Sequence, residues 1–580
     1  MASLLLSRRD LDFLLHEWLD VTSLTSRERY KQHDRATFDA VLDLAEQVAT
    51  RHFAPHNRRN DDEEPTFDGE RVHLHEEIAP ALRAFTEAGF IGAAMPESVG
   101  GMQLPATVAQ ASIAWFQAAN VGSSAYAFLT IANANLLLSH ATPEQVETYV
   151  RPMVEGRWFG TMCLSEPQAG SSLADITTRA EPQPDGTYKV VGNKMWISGG
   201  DHELSENIVH LVLARVPGSP PGAKGISLLL VPKHLPDGTR NDVVLAGLNH
   251  KMGYRGTVNT LLNFGERGGA TGWLVGKENE GLAAMFHMMN EARIGVGLGA
   301  TALGYSGYLH ALDYARSRPQ GRSVGAKDPT TPQVPLVEHP DVRRMLLASK
   351  SYVEGSLALN LYCGRLVDEE RTGEDPATAH LLLDVLTPIA KSWPAQWCLL
   401  ANDLAIQVHG GYGYTREYPV EQLYRDNRLN PIHEGTHGIQ ALDLLGRKVT
   451  MQGGAGLALL AATIGETVDR ARVDHAEHAE ALSAAVARVV EVTQTLWGTG
   501  DPALALANAS VYLEAVGHVV VAWMWLEQLL ACDGKDGAFY DGKRAAAGYF
   551  FQWELPRTGP QLDLLASLDR TTLDMQDAWF

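Results

Sequence analysis

The chain has 580 residues, of which 45% are apolar and 20% charged; this ordinary globular mix excludes wholesale disorder, and a core of this size needs no disulfide or metal staples. Lys and Arg number 48 against 69 Asp and Glu, a net charge of −21, which weighs against a protein built to hold nucleic-acid phosphates or to lie on an anionic membrane. Cys163, Cys363, Cys398 and Cys532 form no CxxC pair and no metal-type cluster with histidine, so the expectation is no disulfide framework, no metal and a reducing, cytoplasmic setting.

At roughly 150 residues per domain, the length suggests about four domains. The opening MASLLLSRRDLDFLLHEW is read as an N-terminal lead over 1–36. Its apolar run Leu4–Leu6 is too short for a signal sequence, and arginines follow it rather than precede it. A helical N-terminal domain over 37–158 comes next. Phe38, Val41, Leu42, Ala45 and Val48 recur at helical spacing, Asp61 to Pro65 reads as a loop, and Thr142-Pro143-Glu144 reads as a cap and helix start. The texture changes near Gly160. The runs TYKVVGNKMWIS, IVHLVLARV and GISLLLVP are β-rich and punctuated by Asp185-Gly186, Gly199-Gly200 and Pro220-Pro221, predicting a β middle domain over 159–278. A helical bundle over 279–450 follows, with a break at Gln452 to Gly456. A C-terminal helical extension fills 451–580, where Leu482, Val486, Val489 and Leu496 share a helix face and Asp501-Pro502 starts another helix. The most apolar stretches, Ile294 to Leu309 and Val516 to Leu526, fall short of the ~18 to 20 residues of a membrane span, so no membrane insertion is expected. Serial segregation of helical and β segments predicts a multidomain α+β protein, not an alternating α/β sheet.

Four segments carry residue types suited to chemistry. Met162 to Ser172 (MCLSEPQAGSS) is a Ser/Gly-rich loop at the entrance to the β domain. Lys194 to Gly200 (KMWISGG) sets an aromatic, a hydroxyl and two glycines at a strand end, where a flat ring can lie against backbone. Gln407 to Tyr414 (QVHGGYGY) offers glycines that let backbone amides approach a phosphate. Ile432 to Gln440 (IHEGTHGIQ) places a carboxylate between His and Gly beside apolar groups, the setting of a partly buried general base. Each alone has an ordinary structural reading: turn, core tryptophan, turn and solvated glutamate.

Taken together and in this order, the four segments resemble the acyl-CoA dehydrogenase family over about residues 37 to 450. MGYRG, GLAAMFHMMNEARIGVG and YARSRPQGR add to the likeness. The whole length is similar to the long bacterial members with an N-terminal lead and a C-terminal helical extension. The resemblance implies the family fold: a helical N-terminal domain, a β-barrel-like middle domain, a four-helix-bundle domain and an extra C-terminal helical domain. It implies FAD as cofactor, an acyl-CoA substrate, an electron-transfer flavoprotein as acceptor, and a homodimer in which some cofactor contacts come from the neighbouring subunit.

The resemblance also assigns roles. Glu434 is the implied catalytic base, with its own N–H facing the thioester oxygen. Ser165, Trp196, Ser198, Arg318, Gln320, Gln407, Gly410, Gly411 and Thr436 match FAD-binding positions. Ser171, Arg293 and Gly435 match substrate-binding positions. His433 and His437 stand where relatives commonly have Tyr and Asn; their protonation would oppose a raised Glu434 pKa, and plain packing or CoA contact is their alternative role. Some relatives carry the base near position 292; Ala292 occupies it here, with Glu291 adjacent. Ser172 replaces a usual Asp, Gly321 a common Phe, and Ser323 to Pro335 is longer than usual. Two rival readings share parts of the pattern. An acyl-CoA oxidase would use the same base and flavin. A DNA-binding alkylation-response flavoprotein is disfavoured by residues 451–580, which hold 8 Lys and Arg against 17 Asp and Glu, a net of −9.

Overall fold

The computed structural model describes residues 3–325 and 328–580, in two compact units. One comprises Gln32–Pro105 and Trp115–Ala292; the other comprises Met1–Lys31, Ala106–Ala114 and Arg293–Phe580.

The first unit joins short helices to a curled sheet. Its helix Arg35–Val48 is capped by Asp34, whose side chain accepts from the Thr37 N–H, and it buries Phe38, Leu42, Ala45 and Val48. The segment read as a loop from Asp61 differs: the helix Asn57–Asp62 takes in Asp61 and Asp62. Asp61 is buried there with the Arg255 guanidinium 3.7 Å away, a tertiary pairing that local composition does not reveal. Thr142 and Gln145 form a reciprocal capping box with Pro143 at the first helical position.

Strands β1 (Thr66–Phe67) and β2 (Val72–His73) make a small hairpin. The main sheet contains β3 (Trp158–Cys163), β4 (Arg179–Pro182), β5 (Tyr188–Ser198), β6 (Asn207–Arg215), β7 (Ile226–Pro232), β8 (Val243–Leu248), β9 (Asn259–Phe264) and β10 (Ala270–Val275). The pairings β4–β5, β5–β10, β10–β7, β7–β6 and β6–β4 close a ring; β3 lies parallel beside β6, and β9 with β8 runs off β5. Strand β6 is apolar almost throughout because it is flanked by β3 and β7 and buried along its length, apart from half-buried Arg215. Opposite β9, strand β5 is irregular: the register shifts between Lys194 and Ile197.

The second unit is helical. Its long helices are Pro340–Thr372, Pro376–His409 and, from Arg293 onward, Gly281–Ser317. Three successive left-handed residues, Gln452, Gly453 and Gly454, interrupt the helix Met451–Ala471. Asp501 caps Pro502–Leu506 by accepting from the N–H groups of Ala503 and Leu504. The helix Ala509–Ala531 is buried nearly all round and seats Trp525 under the bundle, its indole N–H donating to the Ser351 carbonyl at 3.1 Å. The N-terminal lead is fastened to this unit. Tyr30 donates to Asp368 at 2.8 Å, and Asp10 pairs with Lys543, which also meets Glu354 at 2.8 Å.

Among the described residues two helices, Ala106–His140 and Ala509–Ala531, are long and apolar enough to cross a membrane, where the sequence pattern suggests none; the second contains the apolar run Val516 to Leu526 and extends beyond it. Both are mostly buried inside the protein, as core helices of this length are. All four cysteines are buried and unpaired.

Candidate functional site

The residues singled out from sequence fall into two sets, one in each unit. In the β unit, Lys194 is fully buried, and its ammonium donates to Glu166 and to the Leu164 carbonyl, both at 2.9 Å. Glu166 is satisfied further by the N–H groups of Thr177 (2.7 Å) and Thr178 (3.0 Å) and by the Thr177 hydroxyl (2.8 Å). Burial alone would raise the Glu166 carboxyl; the Lys194 charge and these hydrogen bonds overcome it and hold the pKa at about 2. The pair fixes the loop carrying Ser165 to the strand carrying Trp196, and the Met195 N–H donates to the Ser165 carbonyl at 3.0 Å to complete the junction.

Trp196 sits on the bulge next door. Its φ is +63°, a backbone state that bulky side chains rarely adopt, and the indole is 58% exposed. It is therefore not the core tryptophan that a strand-end position ordinarily implies. Ser198, two residues on, accepts from the Asn259 amide at 3.3 Å. Ser171 is exposed on the loop, and Ser172, in place of the usual Asp, donates to Asp175 at 2.6 Å. Glu291, the neighbour of Ala292, accepts from the Asn135 amide at 2.8 Å.

In the helical unit, Arg293, Glu434, Gly435 and Thr436 come together. Glu434 and Gly435 are both left-handed, with φ of +54° and +89°. A side chain at Gly435 would collide with the Gln440 amide, which donates to the Glu434 carbonyl at 3.0 Å. Neither the Glu434 N–H nor the Gly435 N–H donates to any group among the described residues. Thr436 caps the next helix, His437–Asp443, by accepting from the Ile439 N–H.

The Glu434 carboxyl is pushed above its ordinary range by burial, and Arg293 and Lys391 pull it part of the way back. Arg293 is buried and pairs with Asp443 at 3.0 Å. Burial, reinforced by the charge of Lys391, drives His433 down to about 3 and His437 to about 4, so both are neutral at physiological pH and place no charge against Glu434. His433 meets the Asn430 amide oxygen at 3.0 Å and His437 the Ser392 hydroxyl at 2.8 Å. The cation that sequence reasoning missed is Lys391, whose ammonium donates to the Gly435 carbonyl at 2.8 Å. Its signal was a lone lysine in the apolar helical stretch Pro388-Ile389-Ala390-Lys391-Ser392-Trp393.

Arg318, Gln320, Gln407, Gly410 and Gly411 are exposed, at or just beyond the C-terminal ends of the helices Gly281–Ser317 and Pro376–His409. Tyr314 stacks on His409 at 4.3 Å, which brings the end of Gly281–Ser317 beside the end of Pro376–His409. The side chains of Arg318, Gln320 and Gln407 take no hydrogen-bond partner among the described residues. Gly410 has φ +61° and ψ −135°, a conformation reserved for glycine, and a Cβ there or at Gly411 would meet nothing within 4 Å.

Comparison with known proteins matches these segments in order. The chain fits the models for the acyl-CoA dehydrogenase N-terminal domain over residues 36–157, its middle domain over 161–266 and its C-terminal domain over 279–449. An acetyl-CoA dehydrogenase C-terminal-like model matches 460–576. The chain is 36% identical over 567 residues to 3-methylmercaptopropionyl-CoA dehydrogenase of Ruegeria pomeroyi, covering 94% of this chain and 95% of that protein. It is 33% identical to a broad-specificity linear acyl-CoA dehydrogenase of Mycobacterium tuberculosis, covering 99% of each. Among solved structures, an acyl-CoA dehydrogenase complexed with FAD from Bacillus anthracis shares the fold, with a TM-score of 0.77 at 18% identity over 98% of this chain and 93% of that one.

Proposed function

Because the chain belongs to the acyl-CoA dehydrogenase family, we propose that it oxidises the Cα–Cβ bond of an acyl-CoA thioester to the 2-enoyl-CoA, with Glu434 as the base. The observation that carries this reading is the Glu434–Gly435 turn. It combines a carboxylate made more basic by burial with two adjacent N–H groups that have no acceptor among the described residues.

An α-hydrogen of a thioester is a far weaker acid than any carboxylic acid. The barrier falls when hydrogen bonds meet the negative charge that develops on the thioester oxygen. The Glu434 N–H is preorganised for that oxygen while its own carboxylate removes the proton. Arg293 is held by Asp443 and supplies positive potential on the same side. Glu291 is the weaker candidate for base because Asn135 already holds its carboxylate.

The residues fit FAD, which when bound accepts the β-hydride. Trp196 offers an exposed aromatic face on a strained bulge, Ser165 and Ser198 border it, and Thr436 caps the helix that follows the base. Arg318, Gln320, Gln407, Gly410 and Gly411 suit the dinucleotide end. Their exposure, and the lack of partners for the side chains of Arg318, Gln320 and Gln407 among the described residues, support a homodimer in which each protomer completes its neighbour's site. Light scattering tests this: two chains are expected, and a monomer that retains FAD would contradict it.

The substrate is proposed to be 3-methylmercaptopropionyl-CoA or, as the alternative, a short-, medium- or long-chain linear acyl-CoA, from the names of the two relatives above. The acceptor is proposed to be an electron-transfer flavoprotein, and the setting the cytoplasm, which suits four unpaired thiols. A panel of acyl-CoAs assayed with an artificial acceptor ranks the substrates, and peroxide formation in air would indicate an oxidase instead. Glu434→Gln keeps the shape of the base but cannot accept a proton; turnover is expected to fall about 10²- to 10⁴-fold with FAD retained. Near-normal turnover would refute the assignment.

A further inference from the structure

We propose that Lys391 is a positioning residue for the base: its ammonium holds the Gly435 carbonyl and keeps the Glu434 carboxylate ionised in a buried setting. This rests on the reading of Glu434 as base.

The other buried lysines each contact a carboxylate. Lys194 meets Glu166 at 2.9 Å, Lys233 meets Asp201 at 2.6 Å, Lys448 meets Asp384 at 2.7 Å, and Lys543 meets Glu354 at 2.8 Å. Lys391 is 0% exposed, yet no carboxylate lies within 4.0 Å of it among the described residues, and its one hydrogen bond goes to a neutral carbonyl. A buried ammonium without a contacting anion is costly, and a lysine that serves only packing is replaced at little cost by an apolar residue. The anion whose field it feels is Glu434.

Arg293 also lowers the Glu434 pKa, and more strongly than Lys391 does, but its guanidinium is shared with Asp443, which also takes Arg447 at 3.2 Å, whereas Lys391 contacts no carboxylate among the described residues. His433 and His437 are uncharged, and the carboxylate of Glu514 lies 3.8 Å from His437 on the far side of that ring from Ser392. Burial brings Lys391 itself down to about 7, so its charge is present below neutrality, where Glu434 would otherwise take up a proton from solvent. Its contact with Gly435 ties that charge to the left-handed turn presenting the base.

The sign follows. A nearby cation favours the carboxylate form, so removing it raises the pKa of the base and moves the acid limb of kcat/KM to higher pH. Lys391→Gln keeps a hydrogen-bond donor and loses the charge; Lys391→Arg keeps the charge. With FAD loading checked by absorbance, Lys391→Gln is expected to lose about tenfold in kcat/KM at pH 6, the effect of one pKa unit, and to approach wild type at pH 9. Exchange of substrate α-hydrogens in D2O, measured without an acceptor, should shift in the same way. Lys391→Arg should keep the acid limb where wild type has it. A loss by the same factor at every pH, or a limb shifted equally in both variants, would overturn the proposal. Should Lys391→Gln fail to load FAD, the Lys391→Arg profile decides alone: a retained limb supports the charge role and a displaced one refutes it. Glu434→Gln separates the two claims. If it still turns over, the base assignment has failed; if it is inert while Lys391→Gln loses uniformly with pH, only the role of Lys391 has failed.

Discussion

Lys194 and Lys391 are both fully buried and both brace a loop that the chemistry needs, but they are built in opposite ways. Lys194 is locked to Glu166 and a carbonyl, and Glu166 is satisfied on every side by Thr177 and Thr178. Lys391 meets a single carbonyl and has no contacting anion among the described residues. A fully paired buried network fixes shape and projects little net field. A cation short of a partner projects its field onto the nearest carboxylate. On the proposed reading, the β unit supplies a rigid platform and the helical unit a tuned base.

Removing one member of the closed pair should produce the largest loss of stability. Lys194→Met leaves the Glu166 carboxylate buried and unpaired, which costs about 3 to 5 kcal/mol. Denaturant unfolding measures it, and FAD retention should fall because the Ser165 and Trp196 segments lose their brace. A loss below about 1 kcal/mol would show that Glu166 relaxes to solvent and that the platform is not rigid.

Lys391→Met should cost less, about 1 to 2 kcal/mol, because the chief loss is one hydrogen bond to a carbonyl and no carboxylate is stranded in contact. Its melting temperature should therefore lie between those of wild type and Lys194→Met. If Lys391→Met proves as unstable as Lys194→Met, the two lysines serve the same structural purpose and the contrast disappears.

The smallest effect should come from Trp196. The indole is exposed, so Trp196→Ala removes little buried area, while Trp196→Gly also relieves the left-handed backbone by about 1 kcal/mol. The glycine variant is expected to be the more stable of the two in the absence of FAD, and both should bind FAD more weakly than wild type. Equal stabilities would show that the bulge stores no strain.

Much of this arrangement was legible in the residues. The β-rich runs after Gly160, the caps at Thr142 and Asp501 and the helical extension follow from local pattern, because turn chemistry and periodicity are local. The segments carrying Trp196 and Glu434 stood out by order and composition. Their left-handed backbones did not, since only the surrounding packing imposes such a state on a bulky or acidic residue. Asp61 joined a helix because Arg255, 194 positions away, approaches it. The pairing of Asp10 with Lys543 spans nearly the whole chain and leaves no periodic trace. Lys391 was visible as a lysine among apolar residues, but its role depends on a carbonyl 44 residues further on.

The central claim is that Glu434 removes the α-proton, and exchange of substrate α-hydrogens with D2O under anaerobic conditions tests it most directly, because it reads proton abstraction alone. Wild-type protein loaded with FAD should exchange them. Glu434→Gln, shown by titration to bind the same acyl-CoA, should fall behind by at least about 10²-fold. Exchange in that variant at a rate near wild type would contradict the account and move the base to another residue.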